Sequence, residues 1–164
     1  MKQLAMIFLV AIQMTLVNFV FAQEKESGFK KTDFYAAMQA NSEDAVNKQL
    51  DLLKTADIAE KGAYEGALLM KKAGIVGGAK KKLDLFKAGH NKLEAVLAKD
   101  SLNAEFRFLR LMIQEHAPGI LGYKGEQQKD KLFIKNNFKK LQPVVQEAVT
   151  NYTRESKILT PADL

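Results

Sequence analysis

A chain of 164 residues, 47% hydrophobic and 27% charged, has the balance of one soluble globular domain and excludes both a disordered tail and a polytopic membrane protein. Its formal net charge of +6 is carried by lysine, since Arg107, Arg110 and Arg154 are its only arginines. With no Cys, no Trp and two His, the sequence excludes disulfide staples, thiol nucleophiles and most zinc constellations.

The chain opens with Lys2 and an apolar run from Leu4 to Ile12, which loosens through Leu16, Val17, Phe19, Val20 and Phe21. A basic start, a short apolar stretch, and Val20 and Ala22 at the minus-three and minus-one places form a secretory signal peptide over 1–22, cleaved after Ala22. An uncleaved anchor competes with this reading, because Leu4 to Ala22 approaches the roughly 20 residues of a membrane span. Gln13, Thr15 and Asn18 interrupt that stretch. The expected location is periplasmic or secreted, with no stable membrane anchor after cleavage.

Residues 23–31 are polar and aperiodic, a flexible leader. A single helical domain is expected over 32–158. A short helix from Asp33 to Ala40 presents Phe34, Ala37 and Met38, and Asn41 and Ser42 cap a second with Val46, Leu50 and Leu53 on its apolar face. A third follows Asp57 with Ile58, Ala59, Ala63, Gly66, Ala67 and Met70 on one side, and Gly74 is its expected stop. The Gly62-x-x-x-Gly66 spacing inside it marks a close helix crossing, because glycine lets two backbones approach.

The fourth helix, from Ala79 to about Ala98, carries Leu83, Phe86, His90, Leu93 and Leu97 at steps of three and four, one stripe of an α-helix. The fifth, from about Asn103 to His116, carries Phe106, Leu109, Ile113 and His116, widened by Phe108 and Met112. Pro118, Gly119, Gly122 and Gly125 make a loop. A sixth helix holds Phe133, Ile134, Phe138 and Leu141, and Pro143 opens a seventh with Val144, Val145, Ala148, Val149 and Tyr152. Pro161 ends ordered structure, leaving 159–164 as a tail. No segment alternates like a strand, so the fold class is all-α: six to seven helices in antiparallel hairpins, as a bundle or a right-handed array.

The stretch from Ala95 to Phe106, an aliphatic helix end followed by Asp100, Ser101 and Asn103 and then a new helix, resembles the seam between tetratricopeptide repeats. Ser101 stands where proline is usual and Arg107 where a large aromatic is usual, and no 34-residue period recurs. The segment after Ala22 also resembles small secreted helical proteins of Gram-negative bacteria without assigned activity, a likeness that supplies no catalytic residues. The repeat resemblance implies stacked hairpins with a concave surface for protein contacts.

Candidate sites are few. His90 and His116 both lie on apolar stripes and are the candidate metal ligands, yet no His-Glu-x-x-His or similar spacing accompanies them, so no metal and no cofactor is expected. Gly74 to Lys82 joins glycines, a helix start and three lysines, which makes Lys80, Lys81 and Lys82 candidate anion binders; the segment fails the P-loop pattern, and solvated lysines fit it equally. Tyr64, beside the Gly62–Gly66 crossing, and Arg107 and Arg110 are further binding candidates. The lysines from Lys124 to Lys140 read chiefly as solubilising, and the aromatics sit on apolar stripes rather than among them, so no nucleic-acid partner is expected. No Gly-x-Ser-x-Gly elbow and no privileged carboxylate pair occurs, so no enzyme is expected. These residues favour a non-catalytic protein-interaction module; a ligand carrier or sensor with a pocket between helices, and a holdase chaperone, are the alternatives.

Overall fold

A computed structural model describes residues 28–164; the signal peptide and its cleavage point lie outside the described residues. Seven α-helices follow one another: α1 Lys31–Gln39, α2 Glu43–Thr55, α3 Lys61–Ile75, α4 Ala79–Lys99, α5 Ala104–His116, α6 Gln127–Asn137 and α7 Pro143–Tyr152. Short 3₁₀ turns lie at Gly119–Leu121, Phe138–Lys140 and Pro161–Asp163, and no strand occurs among the described residues. The domain is all-α.

Local chemistry sets the helix starts. The Ser42 hydroxyl accepts the Ala45 N–H at 3.2 Å, and Glu43 and Asp44 complement the positive pole of α2. The Asn103 side chain accepts from Glu105 and Phe106, and Pro143 occupies the first turn of α7. Gly74 is not the stop expected of it. The chain runs one residue further, and the left-handed backbone falls on Gly78 (φ 86°), which opens α4 instead.

Packing is tightest between α3 and α4, where the backbones nearly touch. A Cβ at Gly66 would lie 2.8 Å from the Gly89 carbonyl oxygen, and one at Gly89 would lie 2.5 Å from the Gly66 oxygen. The close crossing is therefore Gly66 on Gly89, with Gly62 facing the Val96 side chain. α5 lies in the centre: every residue from Ala104 to Gln114 is buried except Arg107, which is half-buried. Around it gather Phe34 and Tyr64 with ring centroids 4.6 Å apart, Tyr35 against Phe108, and Phe108 edge-on to Tyr152 of α7.

Three expectations about the margins are corrected. Phe29 and Lys31, assigned to the leader, belong to the fold: Phe29 stacks 5.3 Å from Tyr64 and Lys31 opens α1. Residues 159–164 are not a tail, since Leu159 is wholly buried and Thr160 and Asp163 form a reciprocal capping box. The apolar stripe of α4 reaches the core only from Phe86 onward; Leu83 is 41% exposed because no neighbouring helix covers that turn.

Candidate functional site

An apolar helix carrying charges on a fully packed surface must match each of them, since an unpaired buried charge costs several kcal/mol. Every charged side chain of α5 does this with another part of the chain. Asp130 of α6, entirely buried, receives both Nε and Nη2 of Arg110 at 2.7 Å and Nη1 of Arg107 at 2.8 Å. Such bidentate pairing fixes orientation as well as charge. Arg110 also donates to Glu94 at 3.1 Å, and the Tyr123 hydroxyl donates to the other Glu94 oxygen at 2.5 Å. Arg107 lies over the Phe133 ring, 4.5 Å from its centroid. Burial works against the Arg110 charge, but the hydrogen bonds and charges of Asp130 and Glu94 outweigh it and hold its pKa above the ordinary value.

Glu105, one turn before, is the second node. It accepts Tyr35 Oη at 2.9 Å, Tyr64 Oη at 2.6 Å and Lys31 Nζ at 3.0 Å, joining α1, α3 and α5. Burial, then the Glu105 charge, push the Tyr64 phenol well above its usual range, so it stays a hydrogen donor. Tyr64 is wholly buried, and the groove expected beside it is core.

At the far end of α5, Glu115 ties down the segment after α7. It accepts from the Tyr152 hydroxyl, from Ser156 Oγ at 2.6 Å and from the Lys157 N–H at 2.6 Å. Ser156 Oγ accepts the Ile158 and Leu159 N–H groups at 3.0 and 2.9 Å, so its lone pairs serve the turn. Burial raises the Glu115 pKa, but the Ser156 and Tyr152 hydroxyls, the Lys157 N–H and the His116 charge outweigh that and bring it below the usual 4.5. A depressed folded pKa gives stability that is present above the unfolded value and lost as pH falls through the folded one. Acidification below about pH 4 is therefore expected to release residues 153–160 before the core opens. Amide exchange of Lys157 and Leu159 checks this: both should speed up below that pH while Leu109 and Leu111 stay protected, and uniform acceleration would oppose it.

The histidines are not brought together as a metal pair. His90 is half-buried, 4.7 Å edge-on from Tyr123 and stacked on Phe86, while His116 is exposed beside Glu115. No cluster of three or more His, Asp or Glu suited to a metal occurs among the described residues. Lys80, Lys81 and Lys82 are all exposed on the first turn of α4.

Two hollows flank these groups. One, of about 250 Å³, is lined by Glu94, Leu97, Ala98, Ser101, Arg107, Arg110 and Glu126. Its arginines are already committed to Asp130 and Glu94, and Arg107 Nε to the Ser101 carbonyl at 2.8 Å. The other, an open concavity of about 530 Å³, lies along α4, with Leu85 and Ala88 as its apolar floor and Lys80, Lys81 and Asp84 around them.

Thus the structure separates the candidate residues. Tyr64, Arg107 and Arg110 are absorbed as internal ties, and Lys80, Lys81 and Lys82 remain on the surface. The partners Glu105, Asp130, Glu94 and Glu115 were missed. Their signal was present: Glu105, Arg107, Arg110 and Glu115 are embedded among Phe106, Phe108, Leu109, Leu111, Met112 and Ile113, too apolar all round for a surface helix. Comparison with protein-family models, curated proteins and solved structures finds no match, so the tetratricopeptide and secreted-family resemblances gain no support from it.

Proposed function

We propose that this chain is an exported, non-catalytic protein-interaction module. The observation that carries the reading is the open concavity of about 530 Å³ on α4, apolar at its floor and rimmed by lysines. Contiguous exposed apolar surface with a polar rim is what a soluble domain keeps for a partner. The inward-facing charges support the same reading, because Glu105, Asp130, Arg107 and Arg110 are bound to one another's helices and stabilise the fold. Export rests on the sequence order of 1–22.

A ligand carrier is less well supported: the hollow at Arg107 and Arg110 is smaller than the roughly 300–1,000 Å³ of ligand pockets, and its charges are matched internally. Native mass spectrometry of the protein recovered from the exported fraction decides between them. The expected result is a chain at the mass of residues 23–164 with no bound small molecule, and a stoichiometric complex after gentle capture. A stoichiometric small-molecule or metal adduct would overturn the module reading, and an intact 1–164 chain would overturn export with cleavage.

A further inference from the structure

We propose that the outward face of the first half of α4, from Lys80 to Ala88, docks an acidic, amphipathic segment of a partner protein. This rests on the interaction-module reading and names the partner chemistry at that surface.

The charge pattern here opposes the helix's own electrostatics. α4 begins with Lys80, Lys81 and Lys82, has no acidic residue in its first turn, and receives no side-chain cap from Gly78. Cations at a helix N-terminus are unfavourable, and carboxylates there are favourable. The fold does little to offset them. Lys80 pairs only with Asp84 on its own helix, at 3.2 Å with both side chains largely exposed, and Lys81 reaches Glu43 at 4.0 Å. Among the described residues, Lys82 and Lys87 have no carboxylate within 4.0 Å. A local rule broken without an internal compensating gain is what a functional surface shows.

Shape adds an independent constraint. The hollow beside these lysines has Leu85 and Ala88 as its floor. One apolar side chain of a partner helix fills such a recess, while carboxylates a turn away meet Lys80, Lys81 and Lys82 and the uncapped N–H groups of the first turn. Asp84, in the same lining, takes a donor from the partner. Its presence favours a peptide over an anionic bilayer, whose phosphates would crowd Asp84 without supplying a directed donor. The start of α4 is also held in place: Val76 is buried and Gly78 adopts a fixed left-handed turn, so the surface is preorganised.

The test uses the purified protein, a labelled helical probe peptide with Glu at i and i+4 and a single exposed Leu, and the same peptide with Glu→Gln or Leu→Ala. Anionic phosphatidylglycerol vesicles form a separate arm. Saturable peptide binding is expected, with amide shifts confined to residues 78–92. It should weaken roughly tenfold or more in the Lys80→Glu/Lys81→Glu/Lys82→Glu variant, and comparably with either altered peptide. Because acids suit a helix N-terminus, the same variant should unfold at an equal or higher temperature, so lost binding cannot be attributed to lost structure. Absence of peptide binding, affinity unchanged by charge reversal, shifts elsewhere, or lysine-dependent binding to vesicles alone would each overturn the proposal. A native complex whose partner contacts another face would overturn this docking site and leave the module reading standing; a small-molecule adduct with no peptide binding would overturn both.

Discussion

Replacing Asp130 with alanine is expected to destabilise the protein by about 3–5 kcal/mol, the usual cost of removing one partner from a buried ion pair. The reason is geometric. Asp130 is wholly buried and is the carboxylate for two guanidinium groups, whose side chains are 17% (Arg107) and 10% (Arg110) exposed. Without it Arg110 keeps only Glu94, itself 31% exposed, and Arg107 keeps a backbone carbonyl and the Phe133 ring. A loss of that size corresponds to a fall in Tm of roughly 10 °C or more for a domain of this length. Replacing Arg107 and Arg110 with Met together with Asp130→Leu is expected to recover most of it, because no charge is then left buried. Urea unfolding of the single and triple variants measures both, and a single-variant loss under about 1 kcal/mol would mean that water reaches the cluster.

The second large effect belongs to glycine. Gly89→Ala places a Cβ 2.5 Å from the Gly66 carbonyl oxygen and 2.9 Å from the Met70 nitrogen, both backbone atoms that yield only if α3 and α4 separate. Overpacking of this kind costs about 1–3 kcal/mol and sometimes more, against roughly 1 kcal/mol of helix propensity gained by alanine. Gly66→Ala meets the same wall, with Gly89 oxygen and Leu93 nitrogen each at 2.8 Å. At Gly62 the obstruction is a Val96 methyl at 2.9 Å, a side-chain end that turns aside, so Gly62→Ala is expected to be near neutral. Gly74 lies in the last turn of α3 with nothing within 4 Å, and Gly74→Ala is expected to stabilise by roughly 0.5–1 kcal/mol. The order of urea midpoints across the four variants checks the crossing; a Gly89→Ala variant as stable as Gly74→Ala would contradict it.

What could be read from the sequence divides by distance along the chain. Ser42, Asn103 and Pro143 act on backbone within three residues of themselves, so the starts of α2, α5 and α7 were legible. Gly62 and Gly66 announced a close crossing, but the glycine that receives it, Gly89, lies on another helix. Arg107, Arg110 and Tyr64 stood out as chemistry, yet their roles depend on Asp130 and Glu105, which are 20 to 41 residues away from Arg110 and Tyr64. Periodicity alone carried the α4 stripe through Leu83, because a helical wheel does not record where the neighbouring helix ends. The same limit hid residues 159–164: Leu159 is buried only because Glu115 and Ser156 turn the chain back onto the core.

Glu105 also sets an order of assembly. Its tyrosine partners precede it in synthesis, Tyr35 by 70 residues and Tyr64 by 41. At about 5–20 residues per second, Tyr35 waits roughly 4–14 s for its acceptor. During that interval α3 and α4 are adjacent in the chain and free to pair, whereas α1 has no polar anchor and its Phe34 and Met38 have only part of their packing. The N-terminal helix is therefore the last of the early elements to lock, and the stretch nearest the start of the chain stays in an open, threadable condition until the middle of the protein has been made.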